Sequence, residues 1–146
     1  MDKAMKLTNE ELGKFSDQLA KRFLTEVAGL KINVSIEDAP KEVQLIPRLK
    51  AKEIASIKNC DIGDNEIYFY TKTKKKSIYS LLRHFRNCAS HKGRIERKIR
   101  NGKDFFKFEV INMKYFSMRG NVAVDLWDEY IDKLYDVVIK NRINRQ

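Results

Sequence analysis

The sequence predicts a mainly α-helical single domain over residues 1–146, a helical bundle of about three to five helices with two small β-hairpins. Three observations predict it. Apolar residues recur at helical spacing in three separate stretches. Cap residues flank those stretches. The extended segments between them are short and bracketed by turn residues. At 146 residues the chain can bury a core without disulfides or metal. Charged residues make up 34%, above the usual share of about 25%, yet eight Phe, six Tyr and one Trp argue against disorder.

The elements follow in order. Thr8-Asn9-Glu10-Glu11 reads as a capping box, and Leu12, Phe15, Leu19, Phe23 and Val27 mark a first helix over roughly 9–28, with Gly29 near its end. After Pro40, the run Val43, Leu45, Ile46 meets Pro47, so any helix there is short or broken. Ala55–Asn59, Asp61–Asn65 and Ile67–Tyr70 read as strand, turn and strand, the first hairpin. From Ser77, the positions Ile78, Leu81, Leu82, Phe85, Cys88 and Ala89 form one apolar face of a central helix that Gly93 is placed to end. Arg94–Arg100 and Asp104–Ile111 flank Asn101-Gly102, a strong turn signal, and form the second hairpin. The stretch 115–124 is ambiguous between extended and other structure. Asp125 then reads as an N-cap, and Trp127, Ile131, Leu134 and Val138 as the buried face of a last helix.

Charge is unevenly placed. The formal net charge is +10, and thirteen Lys/Arg fall between Thr71 and Lys107 against only Glu96 and Asp104. The remainder of the chain is close to neutral, so the basic excess occupies one quarter of it and points to an anionic partner. Cys60 and Cys88 form neither a disulfide pattern nor a zinc spacing, and a reducing cytoplasm is the default location. No secretory signal is read at the start, and no apolar run approaches the ~20 residues of a membrane span. No membrane partner, no cofactor and no metal are expected.

The chemistry-bearing segment is Arg86-Asn87-Cys88-Ala89-Ser90-His91, at the end of the central helix. Asn87 and His91 are four apart and share a helix face, on a polar stripe with Arg83 and His84. Arg86 lies about 100° from Asn87, with a side chain long enough to converge. A histidine can move a proton near neutral pH. An arginine offers a fork for phosphate oxygens, and an asparagine can orient either. With RNA the nucleophile is the ribose 2′-OH, so cleavage needs no metal. The plainer reading is a solvated or RNA-binding helix face with no chemistry. Lys72, Lys74, Lys75, Lys76, Arg83, Lys92, Arg94, Arg97 and Lys98 are the candidate RNA-backbone contacts. Tyr68, Phe69 and Tyr70 could stack bases, although alternating strand residues more often divide between core and surface. Cys88 reads as a small core residue, and His84 as a surface or dimer-interface residue.

Leu81 to His91, followed by Gly93, resembles the signature helix of the HEPN superfamily, whose pattern is an arginine, a polar residue, a short run of mostly small or apolar residues and a histidine. The resemblance covers about 17 residues, Ser77–Gly93, and marks Arg86, Asn87 and His91 as catalytic. Many relatives have alanine before the histidine and glycine directly after it, where this chain has Ser90 and Lys92. The resemblance implies a helical bundle that forms a homodimer with two such helices facing each other. It also implies a metal-independent endoribonuclease of toxin–antitoxin or anti-phage defence type, controlled by an antitoxin or regulatory protein. The alternative is a non-catalytic RNA- or nucleotide-binding module acting as a regulatory or defence-complex subunit.

Overall fold

The computed structural model describes residues 3–30, 32–90, 93–112 and 115–144. In chain order these form β1 (Lys3–Met5), α1 (Asn9–Phe15) running through a π segment (Ser16–Lys21) into α2 (Arg22–Glu26), β2 (Gln44–Arg48), α3 (Ala51–Asn59), β3 (Glu66–Tyr70), α4 (Ser77–Ala89), β4 (Gly93–Arg100), β5 (Lys103–Asn112), β6 (Tyr115–Ala123) and α5 (Val124–Asn144). The strands make one six-stranded mixed sheet in the order β1-β4-β5-β6-β3-β2. The mainly helical bundle with two small hairpins is therefore overturned. The fold is α+β, and the extended segments are its central layer.

The first rod keeps its predicted start. Thr8 Oγ1 accepts from Glu11 N at 3.1 Å, and Glu11 Oε1 accepts from Thr8 N at 2.9 Å. Its apolar side is Phe15, Leu19, Phe23 and Val27, all buried and each four residues from the next. In a pure α-helix a step of four overshoots the turn by about 40°, so such a stripe would wind around the rod. The wider turns of the π segment bring it back into line. Leu12, expected in the core, is 52% exposed.

Two further expectations are corrected. Residues 55–59 belong to α3 rather than a strand. Glu53 Oε2 accepts from Leu49 N at 3.1 Å and Lys50 N at 2.8 Å, fixing the first turn of a helix that buries Ile57. The apparent alternation around Ile57 was the short reach of an i, i+3 pair, Ile54 and Ile57. The run ending at Pro47 is strand β2, parallel to β3 at the edge of the sheet. Proline is tolerated there because an edge strand has one side without ladder bonds.

The Asn101-Gly102 turn forms as expected, with φ of +51° and +78°, both positive as a two-residue hairpin turn requires. The ambiguous stretch is strand β6, antiparallel to both β5 and β3. It closes the sheet between two segments distant in sequence. α5 begins at Val124, one residue before the expected cap, which puts Asp125 in its first turn.

Three rods cover one sheet face. Phe106, Phe108 and Val110 of β5 meet Phe15, Phe85 and Trp127 there, all buried. Trp127 is 4.7 Å from Phe108 and 5.2 Å from Phe85 between ring centroids, and its Nε1 donates to Gln18 Oε1 at 2.8 Å. The indole is thus buried without an unpaired donor. α3 covers part of the other face over β6 and β3, where Arg119 Nη1 donates to the carbonyls of Ile57, Lys58 and Cys60 at 3.0, 3.0 and 3.2 Å. These are carbonyls at a helix C-terminus, which lack intrahelical partners. No helix of the described residues is long and apolar enough to cross a membrane.

Candidate nucleic-acid groove and the end of the central helix

α4 is amphipathic, with Ile78, Leu81, Leu82, Phe85 and Cys88 buried against the sheet and the first rod. Its start is tied in. Ser77 Oγ donates to Lys74 O at 2.8 Å and Ile78 N to Val34 O at 3.0 Å. Its end is closed by Ser90, whose N donates to Arg86 O and whose Oγ donates to Asn87 O, each at 3.1 Å. The lysine run Lys74–Lys76 is a single exposed 3₁₀ turn leading into it.

The polar stripe of α4 faces a groove of ≈ 520 Å³ between the helix and the ends of β3, β5 and β6. Lys72, Lys76, Arg83 and Asn87 line it together with Tyr70 and Tyr79. Four residues singled out from sequence therefore converge on one concave surface, and Lys72, Lys76 and Arg83 are exposed. Helical spacing places 83 and 87, four apart, on one face, and Lys76 stands on the turn that leads into the helix.

Arg86 is half-buried and does not line the groove itself; it adjoins the groove through Asn87. Its Nη2 donates to Asn87 Oδ1 at 3.0 Å, and its guanidinium carbon sits 5.5 Å from the centroid of Phe23. The ring supports one face of the fork and the amide oxygen holds one of its nitrogens. His91 and Lys92 lie outside the described residues.

His84, expected at the surface or a dimer interface, turns its ring toward β3. Its Nε2 is 2.7 Å from Tyr70 O. A carbonyl only accepts, so Nε2 carries the proton and Nδ1 the lone pair. Nδ1 is buried with no hydrogen-bond partner. Burial lowers the pKa of His84 below its ordinary value, and neighbouring Arg83 acts in the same direction, against the Tyr70 hydrogen bond. The ring is neutral at pH 7. Cys88 is a core residue: its thiol, raised by burial, donates to Glu109 O at 3.4 Å.

The remaining sequence-predicted contacts do not join the groove. Strand alternation divides 94–98 between the two sheet faces, so the basic run is not one track. Arg97 points to the helical face and pairs with Asp104 at 2.6 Å and Glu11 at 3.8 Å. Arg94 and Lys98 lie on the opposite face, with Arg94 paired to Glu109 at 2.8 Å and Glu96 at 3.3 Å. Lys74 and Lys75 stand exposed on the 3₁₀ turn, outside the groove lining. Tyr68 and Tyr70 share a strand face, and only Tyr70 reaches the groove; Phe69 is fully buried in the core. Sequence reasoning missed Tyr79, whose i, i+4 relation to Arg83 was legible, and Arg119, Lys107 and Glu109, whose clustering depends on strand pairing.

No family model, curated protein or solved structure matches the chain.

Proposed function

We propose that this protein is a metal-independent endoribonuclease acting at the end of α4. The observation that carries the reading is the Arg86–Asn87 pair, joined at 3.0 Å, beside a groove lined by Lys72, Lys76 and Arg83. In this reading the three cations take backbone phosphates of a single RNA strand, while Tyr79 offers a ring face for a base. Arg86 holds the scissile phosphate and stabilises the charge that builds on it. Its fork is already steadied by Asn87 and Phe23, which reduces the ordering required on binding.

His91, four residues after Asn87 in sequence, moves the proton. The ribose 2′-oxygen attacks the adjacent phosphorus and loses its proton. The 5′-oxygen leaves and gains one. The products carry a 2′,3′-cyclic phosphate, later opened by water, and a 5′-hydroxyl. Because the nucleophile belongs to the substrate, no metal-bound water is needed. A cytoplasmic location belongs to this proposal through the two cysteines that form no disulfide pattern, and a homodimer and a restraining antitoxin or regulatory protein through the HEPN-like helix alone. The helical bundle implied by that resemblance is not this chain's fold.

A second reading is a binding module with no turnover. The packing of Arg86 on Phe23 favours it, since a guanidinium seated on an aromatic ring also serves structure. The two part on one experiment: a mixed RNA pool incubated with the protein in EDTA, beside an Arg86→Ala/His91→Ala variant. Cleavage by the wild type alone, leaving cyclic-phosphate ends, is expected. Salt-sensitive RNA binding without cleavage by either protein overturns the enzyme in favour of the binder.

A further inference from the structure

A second basic concavity lies on the sheet face away from α4. Strand alternation puts Arg94, Lys98 and Arg100 of β4, Lys103 and Lys107 of β5, and Arg119 of β6 on that face. The loop at Cys60–Ile62 stands beside them and completes a basin of ≈ 260 Å³, lined by Lys98, Arg100, Lys107, Arg119 and Asn121 and by the carboxylates of Asp61 and Glu109.

Three features make it an oxyanion site rather than a solvated strand surface. Its buried carboxylate is already answered: Glu109 lies 2.8 Å from Arg94, 3.5 Å from Arg119 and 3.8 Å from Lys107. Lys98, Arg100, Lys107 and Arg119 against Asp61 and Glu109 leave the basin lining positive, with Asp64 3.6 Å from Arg100 at its edge. Two of the basin's cations are also held in place. Arg119 is fastened to the three carbonyls at the end of α3, and Arg100 donates to Ile62 O at 2.9 Å. Such fixing removes much of the side-chain entropy that anion binding otherwise costs. Finally, buried Arg119 Nε makes no hydrogen bond and meets Glu109 Oε2 only at ion-pair distance, 3.5 Å. A shorter, aligned bond to an incoming oxygen would be stronger than that contact.

The size and surroundings select the anion. The basin is small and its polar lining is mostly cationic, which suits a phosphoryl group. Lys98 and Arg100 stand two residues apart on one strand face, a repeat of ~7 Å that matches the step between successive phosphates of an extended strand. Arg94 and Lys103 continue the positive surface beyond the basin. We propose that this basin binds a backbone phosphate of single-stranded RNA, as a contact site separate from the α4 groove. The proposal rests on the preceding section only for the identity of the polymer.

The test uses the full chain, ¹⁵N-labelled, titrated with a 2′-O-methyl oligouridylate, whose blocked 2′-oxygen cannot attack phosphorus. Salt-reversible amide shifts at Lys98, Lys107 and Asn121 are expected, stronger than those from inorganic phosphate at equal phosphate concentration. In a separate binding titration, Lys98→Gln/Lys107→Gln should weaken affinity about tenfold. It should also reduce the slope of log affinity against log salt by about 1.4, the value for two lost single-strand phosphate contacts. Shifts confined to the α4 groove overturn the proposal. Shifts from inorganic phosphate as strong as those from the oligomer overturn the RNA assignment in favour of a small-anion site. If the double variant does not fold, the wild-type shifts decide alone. Basin shifts without cleavage of natural RNA leave this site standing and the ribonuclease reading refuted.

Discussion

Gly93 is the residue on which the seating of the candidate site can be tested. It is the first residue of β4, just beyond the end of α4. A Cβ at this position would lie 2.5 Å from Cys88 Cα, 2.9 Å from Asn87 O and 2.9 Å from Glu109 O. All three are backbone atoms, so no side-chain rotation relieves the contact. Either α4 lifts from the sheet or β4 separates from β5. Phe85 and Cys88 anchor the helix in the core, which resists the first. Overpacking of this kind costs ~3 kcal/mol, the upper part of the usual range. Reduced freedom of the unfolded chain returns ~0.5–1 kcal/mol. Gly93→Ala should therefore destabilise by ~2 kcal/mol, a fall in Tm of about 6 °C for a chain of this size. Urea unfolding reads this as a lower midpoint at unchanged m. Gly13→Ala is the control. Gly13 lies within α1 with nothing within 4 Å of its would-be Cβ, so alanine there should stabilise by ~0.5–1 kcal/mol. Because two of the three crowded atoms belong to Cys88 and Asn87, RNA cleavage by folded Gly93→Ala should fall ~10–100-fold. A midpoint within experimental error of the wild type would refute the reasoning, since it would mean that the end of α4 moves freely over the sheet.

Other outcomes follow from the same contacts. His84 has a lowered pKa in the fold, so below its ordinary 6.5 the unfolded chain takes up the proton first. Its contribution to stability is complete above that value and is lost as pH falls toward the folded pKa, with a slope of up to ~1.4 kcal/mol per pH unit. Urea midpoints between pH 7.5 and 5 should show this fall in the wild type and a shallower one in His84→Gln; equal slopes would remove His84 as the cause. Burial raises both thiols, and Cys88 is the more deeply buried. Iodoacetamide at pH 8 should label Cys60 slowly and Cys88 only as fast as the protein unfolds, as mass spectrometry would report. Arg119→Ala strips three carbonyls at the end of α3 of their donor and leaves Glu109 short of a cation. A loss of ~2–4 kcal/mol in chemical denaturation is expected, and a loss below ~1 kcal/mol would mean that water replaces the guanidinium.

Much of the local structure was legible because its causes are local. The Thr8 capping box, the apolar face of α4 and the Asn101-Gly102 turn each depend on residues within a few positions of one another. The groove was partly legible for the same reason: Arg83 and Asn87 fall on one helix face whatever the helix packs against. The resemblance of residues 77–93 to a HEPN helix, by contrast, carried an expectation about the whole fold that seventeen residues could not support.

What the sequence by itself determined is the position of each helix with a strong cap or stripe, the β4–β5 hairpin, and the concentration of positive charge between Thr71 and Lys107. Only the tertiary structure decided that the extended segments join in one sheet. The pairing of β6 with β3 and of β1 with β4 brings together residues about fifty and more than ninety positions apart. Such pairings are selected by burial of a shared face, which no local pattern encodes. The same pairing sent Arg97 to one side of the sheet and Lys98 to the other, because neighbours on a strand point to opposite faces. A basic run that is continuous in sequence is thereby divided between the two faces of the sheet.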